Sequence, residues 1–178
     1  MKGIVFNLLE EVVTTTHGED TWDEVLDAAG VDGAYTSLGS YPDEQFGLLV
    51  MAAADALGRP VDDVVRWFGR QTMPLFALRF APLFADHDST RSFVLGLNEV
   101  IHPEVRKLYP GADTPQFIFS TEKSGKLLME YRSRRRLCSL AEGLLLGAGD
   151  HYGEEITIEH PSCLKRGDAS CVLAVDFR

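Results

Sequence analysis

The chain has 178 residues, of which 45% are hydrophobic, so it can bury a core and fits a single domain. Its formal net charge of -10 argues against a nucleic-acid surface, because phosphate binding needs a basic face and the one dense basic cluster spans residues 132–136. Residues 1–7 do not resemble a signal peptide and no stretch is apolar enough for a membrane span, so a cytoplasmic location is expected.

The first helices are predicted from apolar spacing and from capping residues. Residues 3–14 place apolar side chains at helical intervals. Thr21, with Glu24 three positions later, forms a capping box, so a second helix is expected to begin there. A third helix is predicted between Pro42, which suits a first turn, and Gly58, which supplies a left-handed cap.

Prolines divide the prediction for the rest of the helical half. Pro60 opens a short helix, and residues 70–84 are predicted to form buried helix that is interrupted at Pro74 and Pro82. Ser89 or Thr90 then caps a helix over residues 91–101. The pair His102–Pro103 is expected to break this helix, because the residue before a proline is pushed out of the α region, and a short helix restarts at Pro103.

The pattern changes to β-β-α-β-β after a turn-rich connector over residues 109–115. The predicted elements are strands at 116–121 and 126–134, a helix at 137–148 that ends at Gly149, and strands at 154–160 and 171–177. The expected fold class is therefore α+β, in one domain over residues 1–178. A helical half, residues 1–110, packs on an antiparallel sheet half, residues 111–178.

Three polar side chains, Tyr131, Ser133 and Arg135, alternate along an extended segment at the end of the second predicted strand. Residues two apart on a strand point to the same face. A guanidinium fork flanked by two hydroxyl groups suits a pair of carboxylates. A solvated strand edge is the alternative interpretation, because three further arginines make the whole segment basic.

The spacing Tyr-x-Ser-x-Arg resembles the haem-propionate clamp of the H-NOX family, the haem nitric oxide/oxygen-binding sensor domains. In that family a proximal histidine, and then a proline that presses on the porphyrin, precede the clamp. The matching positions in this chain are His102, Pro115, Tyr131, Ser133 and Arg135. Residues 1–7 also look like the first helix of the family, which caps the distal face. The resemblance implies a b-type haem between the two halves.

His102 is the best candidate for the axial haem ligand. Its neighbours Val100 and Ile101 are apolar, as a haem slot requires, whereas His17 and His87 lie beside acidic residues. A helix-terminal histidine with a satisfied hydrogen bond is the alternative. No Cys-x-x-Cys-His motif occurs, so thioether links to the haem are not expected.

The resemblance also bears on which gas is bound. Oxygen-binding members carry a distal tyrosine at the position that is Leu140 here. Together with Leu144, Val5 and Leu9, Leu140 would make the distal wall apolar and leave bound dioxygen without a hydrogen-bond donor. The expected function is a nitric oxide sensor that also binds CO and excludes stable oxygen binding.

Signalling, and no enzymatic activity, is what the family implies. Nitric oxide would weaken the bond between the iron and His102, and the released strain would change a surface that a partner protein reads. The chain resembles bacterial stand-alone domains, expected to be monomeric, that regulate a histidine kinase or a cyclic-di-GMP enzyme. Nothing in the sequence chooses between these partners.

A second metal site is predicted from Cys138, His160, Cys163 and Cys171, with the spacing C-x21-H-x2-C-x7-C. Three thiols cannot complete a disulfide framework, but with one imidazole they form a closed tetrahedral set that suits structural zinc. Three unrelated buried thiols are the alternative. A subset of bacterial H-NOX domains resembles this arrangement and carries zinc there, with a proposed thiol-redox response.

Two other classes of protein share some of these features and are alternatives to the H-NOX resemblance. A zinc-stabilised effector-binding domain resembling the vinyl-reductase-like group would explain Cys163 and Cys171 but not His102 and the clamp. A haem enzyme such as a peroxidase would need a distal acid–base residue, and none has a recognisable placement. The colour of the purified protein separates the haem proteins from the effector-binding domain.

Overall fold

The computed structural model describes all 178 residues and consists of a helical half followed by a sheet half. Seven helices form the first half: α1 Gly3–His17, α2 Glu19–Ala29, α3 Asp43–Ala56, α4 Val61–Arg79, α5 Ala81–Ala85, α6 Thr90–Leu95 and α7 His102–Leu108. A π-helical turn, Leu97–Ile101, joins α6 to α7. None of the helices combines the length and the apolar character that a membrane crossing requires.

The second half has the predicted β-β-α-β-β order. Its elements are β1 Gln116–Thr121, β2 Leu127–Arg132, α8 Cys138–Tyr152, β3 Ile156–Ser162 and β4 Cys171–Phe177. The four strands form one antiparallel sheet in the order β1-β2-β4-β3. The expected α+β fold class is confirmed.

The boundary between α1 and α2 differs from the prediction. Helix α1 ends at His17, and α2 begins after the single residue Gly18. The φ of Gly18 is 95°, a value that glycine adopts without strain. Thr21 is therefore inside α2 and is not its N-cap; its hydroxyl donates a hydrogen bond to the carbonyl of His17. The capping-box prediction was wrong because a glycine turn, rather than a side-chain cap, separates the helices.

Helix α4 continues through Pro74, where a break was predicted. A proline inside a helix removes one backbone hydrogen bond, here the one that would reach Arg70. Packing against α8 compensates: a Cβ built on Gly69 would lie 2.7 Å from the carbonyl oxygen of Leu140, and one on Gly143 would overlap the carbonyl of Arg66. The two backbones therefore touch. The predicted interruption at Pro82 is confirmed, since α5 begins at the residue before it.

The chain is also helical at His102–Pro103, where a break was predicted. His102 has φ -66° and ψ -37°, and Pro103 falls in the first turn of α7, where a missing N–H is tolerated. Before it, the N–H of Ile101 donates to the carbonyl of Gly96, five residues back. The π-helical turn widens the backbone directly ahead of His102, a feature that frequently marks functional positions.

Two further boundaries were predicted wrongly. Strand β2 ends at Arg132, and the chain then turns through Arg136, which has a φ of 53°. Helix α8 does not stop at Gly149 but continues to Tyr152 and is capped by Gly153 in the left-handed conformation. Gly149 lies inside the helix because the chain returns closely past it: a Cβ there would be 3.0 Å from the carbonyl oxygen of Glu154.

Two hydrophobic cores flank the space between the halves. The first, centred on Phe6, Leu49 and Phe68, holds α1, α3 and the start of α4 together. The second, centred on Met129 and Leu173, lies between the sheet, α8 and the later helices. The candidate site lies where these cores meet.

Candidate functional site

A cavity of about 580 Å³ separates the helical half from the sheet half. This volume lies within the range of roughly 300–1,000 Å³ that is usual for cofactor sites. Most of its walls are apolar, with contributions from Phe68, Phe76, Leu83, Val94, Met129 and Leu145. The sequence-predicted residues His102, Pro115, Tyr131, Ser133 and Arg135 all line it, so one cavity gathers the whole set.

His102 enters this cavity from the first position of α7. Its ring lies 6.0 Å from the ring of Phe117, with an interplanar angle of 27°. Burial lowers the pKa of His102 to about 4, and the positive charge of Arg106 acts in the same direction, while the backbone of Pro115 opposes the shift. The imidazole is therefore neutral at neutral pH, which is the form that ligates a metal.

The clamp residues meet at the mouth of the cavity by a different route from the one predicted. Only Tyr131 lies on a strand; Ser133 and Arg135 follow the end of β2 in the turn. Within this turn the backbone N–H of Arg135 donates to the Ser133 hydroxyl at 3.3 Å. The phenol oxygen of Tyr131 accepts a hydrogen bond from the N–H of Leu137 at 3.2 Å, and burial raises the pKa of Tyr131.

Two carboxylates hold the guanidinium of Arg135, whose side chain is only 12% exposed. Its Nε donates to Asp43 at 2.9 Å, and its Nη1 contacts both the carbonyl and the carboxylate of Asp113. Burial raises the pKa of Asp43, but hydrogen bonds from the amino group of Met1 and from Arg135 outweigh it, so the pKa lies below its ordinary value. Arg135 is thus fixed in orientation before any ligand arrives.

The wall opposite the sheet is formed by α1, α4 and α8. Val5, Leu140 and Leu144 line the cavity as expected. Leu9 is fully buried in the helical core and does not line the cavity, whereas Leu8 does. One polar side chain belongs to this lining: Thr72 is 2% exposed, and its hydroxyl has no hydrogen-bond partner.

The four predicted zinc ligands come together at the start of α8. The ligand atoms of Cys138, His160, Cys163 and Cys171 all lie within 4.8 Å of one another. The Sγ of Cys163 is 3.7 Å from that of Cys138 and 4.0 Å from that of Cys171. Zn–S bonds of about 2.3 Å in a tetrahedron would place sulfurs about 3.8 Å apart, so the cluster fits zinc.

The surroundings of the cluster change the protonation of its thiols in opposite directions. The N–H of Leu164 donates to the Sγ of Cys171 at 3.3 Å. Although burial raises it, backbone N–H groups and the neighbouring thiols lower the pKa of Cys163 below its ordinary value. Burial and the other two thiols raise the pKa of Cys138 to about 12. The Nε2 of His160 is buried without a hydrogen-bond partner, which is expected of a nitrogen atom that serves as a metal ligand.

Residues 2–160 match the model of the family described as Haem-NO-binding. This match covers most of the chain. The chain belongs to the H-NOX family. Its members are haem-based sensors of nitric oxide and other gases, and many act on partner signalling proteins. The match decides against the vinyl-reductase-like group as the family of this chain.

Solved H-NOX structures resemble the whole chain. An H-NOX protein from S. oneidensis in the Fe(II)NO ligation state is 36% identical, with a TM-score of 0.93 over 100% of this chain and 99% of that one. An H-NOX domain from Shewanella oneidensis in the Fe(II)CO state gives 35% identity and a TM-score of 0.89, with the same coverage. Soluble guanylate cyclase gcy-31 of Caenorhabditis elegans is 27% identical over 76% of this chain, which spans 20% of that relative.

The donor set of this H-NOX cavity fits a haem. A neutral imidazole, apolar walls and a polar mouth are the three features that the group requires. Three residues of the site were not predicted from the sequence: Thr72, Asp43 and Asp113. No local signal identifies the two aspartates, since Asp43 lies 92 residues from Arg135 in the chain. Thr72 is one turn after Gly69, whose close contact with α8 only the fold reveals.

Proposed function

We propose that the chain is a haem-based nitric oxide sensor in which His102 is the axial ligand. Tyr131, Ser133 and Arg135 would hold the propionates. The observation that carries the proposal is the single cavity that joins a buried, neutral His102 to this clamp. Residues 1–178 would act as one sensor domain without catalytic activity of its own, as is usual for domains of this family.

Each group of residues has a separate task in this proposal. When bound, ferrous haem would supply the coordination position for nitric oxide, and His102 would hold its iron. A weaker bond to His102 would let α7 move together with the π-helical turn that precedes it. The fixed guanidinium of Arg135 holds the periphery of the haem in place while the helix moves. The shift of α7 is the surface change that a partner would read.

The gas specificity follows from the apolar wall. The ferrous protein should bind NO and CO but form no stable oxygen complex, because Leu140 offers no hydrogen-bond donor to a partly negative dioxygen. Absorption spectra after exposure of the ferrous protein to each gas test the proposed function directly. Protein that takes up neither haem nor NO would contradict it.

A matched pair of variants tests the part played by Leu140. Leu140→Tyr should slow oxygen dissociation or permit an oxygen complex, whereas Leu140→Phe, which has the same ring without the hydroxyl, should not. A stable oxygen complex of the unmodified protein would point instead to the Thr72 hydroxyl, the hydrogen-bond donor that this wall contains. Thr72→Val would then abolish that complex.

Loss of the clamp guanidinium should weaken haem binding. Charge-assisted hydrogen bonds contribute roughly 1.5–3 kcal/mol each, so Arg135→Ala should speed haem loss by about tenfold or more. Transfer of haem to an excess of apomyoglobin measures the rate. Arg132→Ala is the matched control, because Arg132 carries the same charge, pairs with Glu130 and does not line the cavity. Equal rates in the two variants would remove Arg135 from the clamp.

We further propose that Cys138, His160, Cys163 and Cys171 hold one structural zinc. Four protein ligands leave no open position for water, so catalysis by this metal is not proposed. The metal would join the start of α8 to β3 and β4. A redox input would require oxidation of the thiolates, and the three cysteines are at most 4% exposed, so oxidation would follow opening of this region.

The regulated partner is proposed to be a histidine kinase or a cyclic-di-GMP enzyme, with the domain acting as a monomer. The net charge of -10 favours a basic surface on that partner. The chain covers only a fifth of its guanylate cyclase relative, so a cyclase activity is not carried over. Co-purification with each candidate enzyme, followed by assay of that enzyme with and without NO, tests this assignment.

A further inference from the structure

Asn98, the second residue of the π-helical turn, binds the edge of the sheet through both the nitrogen and the oxygen of its side-chain amide. Its Nδ2 donates to the carbonyl oxygen of Phe117 at 2.6 Å, and the N–H of Phe117 donates to its Oδ1 at 3.2 Å. The strand β1 is at the edge of the sheet and pairs with β2 on its other side only. The amide therefore occupies the place that a neighbouring strand would take.

Phe117 lies between the residues proposed to contact the haem. Its ring is 6.0 Å from that of His102 and 5.7 Å from that of Tyr131, and its side chain is among the buried residues that line the cavity. Pro115 precedes it by two residues. Because Asn98 stands four residues before His102, its two hydrogen bonds connect the helical segment that carries His102 to the strand beside it.

Asn98 anchors the π-helical turn, in which two backbone N–H groups share one carbonyl acceptor. The N–H groups of both Val100 and Ile101 donate to the carbonyl of Gly96, at 2.9 and 3.1 Å. A π-helical turn is rare and short, so it persists where tertiary contacts hold it. Asn98 supplies the one pair of side-chain hydrogen bonds from this turn to the sheet.

We propose that Asn98 is a positioning residue that limits how readily His102 moves away from bound haem. This inference rests on the proposed function, in which His102 is the axial ligand. Removal of the amide frees the π-helical turn from β1, so His102 leaves with less resistance when nitric oxide binds. To bind both the carbonyl and the N–H of Phe117, a side chain needs a hydrogen-bond donor and an acceptor side by side. The amide of Asn98 provides both, in the same arrangement as a peptide group.

The experiment compares ferrous nitrosyl spectra of the holoprotein, which distinguish protein with and without His102 ligation. In Asn98→Ala the equilibrium should shift toward loss of His102 ligation by about tenfold, the effect expected from two lost hydrogen bonds. If the wild-type protein already loses His102 ligation completely, the rate of this loss after mixing with NO should rise in Asn98→Ala by about the same factor. Asn98→Asp keeps the acceptor for the Phe117 N–H but turns a carboxylate oxygen toward the Phe117 carbonyl in place of the donor, so it should shift the equilibrium in the same direction. This variant also serves if the alanine variant does not fold.

Glu99→Ala is the matched control, because Glu99 belongs to the same turn but is exposed. Its nitrosyl spectrum and conversion rate should equal those of the wild type. Hydrogen exchange at the Phe117 amide should accelerate in Asn98→Ala only. Faster exchange with unchanged nitrosyl behaviour would overturn the inference, as would equal spectral shifts in the Asn98 and Glu99 variants. Wild-type protein that binds no haem would overturn the proposed function itself, an outcome that its spectrum reveals before any variant is compared.

Discussion

Replacing His102 with Gly should leave the purified protein without haem unless imidazole is supplied. The imidazole of His102 reaches the cavity from α7, and burial keeps it neutral by lowering its pKa to about 4. In the proposed site the remaining contacts, apolar packing and the clamp, would hold the haem without ligating its iron. Free imidazole should replace the ring that the substitution removes. Haem content and the ferrous absorption spectrum, with and without imidazole, measure the effect.

The control for this experiment is His17→Gly. His17 is an exposed residue at the end of α1 and lies outside the cavity, so its replacement should leave the haem content unchanged. A His102→Gly variant that retains the wild-type ferrous spectrum in the absence of imidazole would show that another residue ligates the iron. Tyr109, which also lines the cavity, would then be the first alternative to test.

Loss of the zinc cluster should destabilise the sheet half more than any single surface change. The purified protein should contain one zinc per chain, whether or not haem is present, and His160→Gln should lose it. Structural zinc binding is coupled to folding, and loss of a metal belongs with the mutations that cost more than about 4 kcal/mol. Metal analysis and urea unfolding of the reduced protein measure the two effects.

His17→Gln is the matched control, since it makes the same substitution at a histidine outside the cluster. It should keep both the zinc and the free energy of unfolding. Absence of zinc from reduced wild-type protein would contradict the metal site and leave three buried thiols. If zinc is present, peroxide treatment of the wild type separates a structural role from a sensing role. Zinc retained while regulation of the partner is lost through haem oxidation alone would identify a purely structural metal.

Much of the two candidate sites was predictable from the sequence, because each contains characteristic residue types at characteristic spacings. The three thiols and one imidazole indicated a closed metal site without knowledge of the fold, and the four ligand atoms do meet. Likewise Tyr131, Ser133 and Arg135 indicated an anion clamp, and all three line the cavity. The helical first half and the β-β-α-β-β order followed from apolar periodicity.

Tertiary structure decided what local rules could not. Pro74 and Pro103 were expected to interrupt helices, yet α4 continues because its backbone packs directly on α8, and α7 follows a π-helical turn without a break. The clamp is assembled by a turn after Arg132 instead of an extended strand.

The partners of the key side chains were also set by the fold alone. Asp43 fixes Arg135 from 92 residues away, and Asn98 reaches Phe117 across the boundary between the halves. The physical reason is that a local sequence pattern indicates which face of a helix or strand is buried. It does not indicate which distant backbone group or charged side chain will form hydrogen bonds with the polar groups on that face. Residue types and their spacing therefore identified most side chains of the two candidate sites, and packing between the halves determined how those side chains are held.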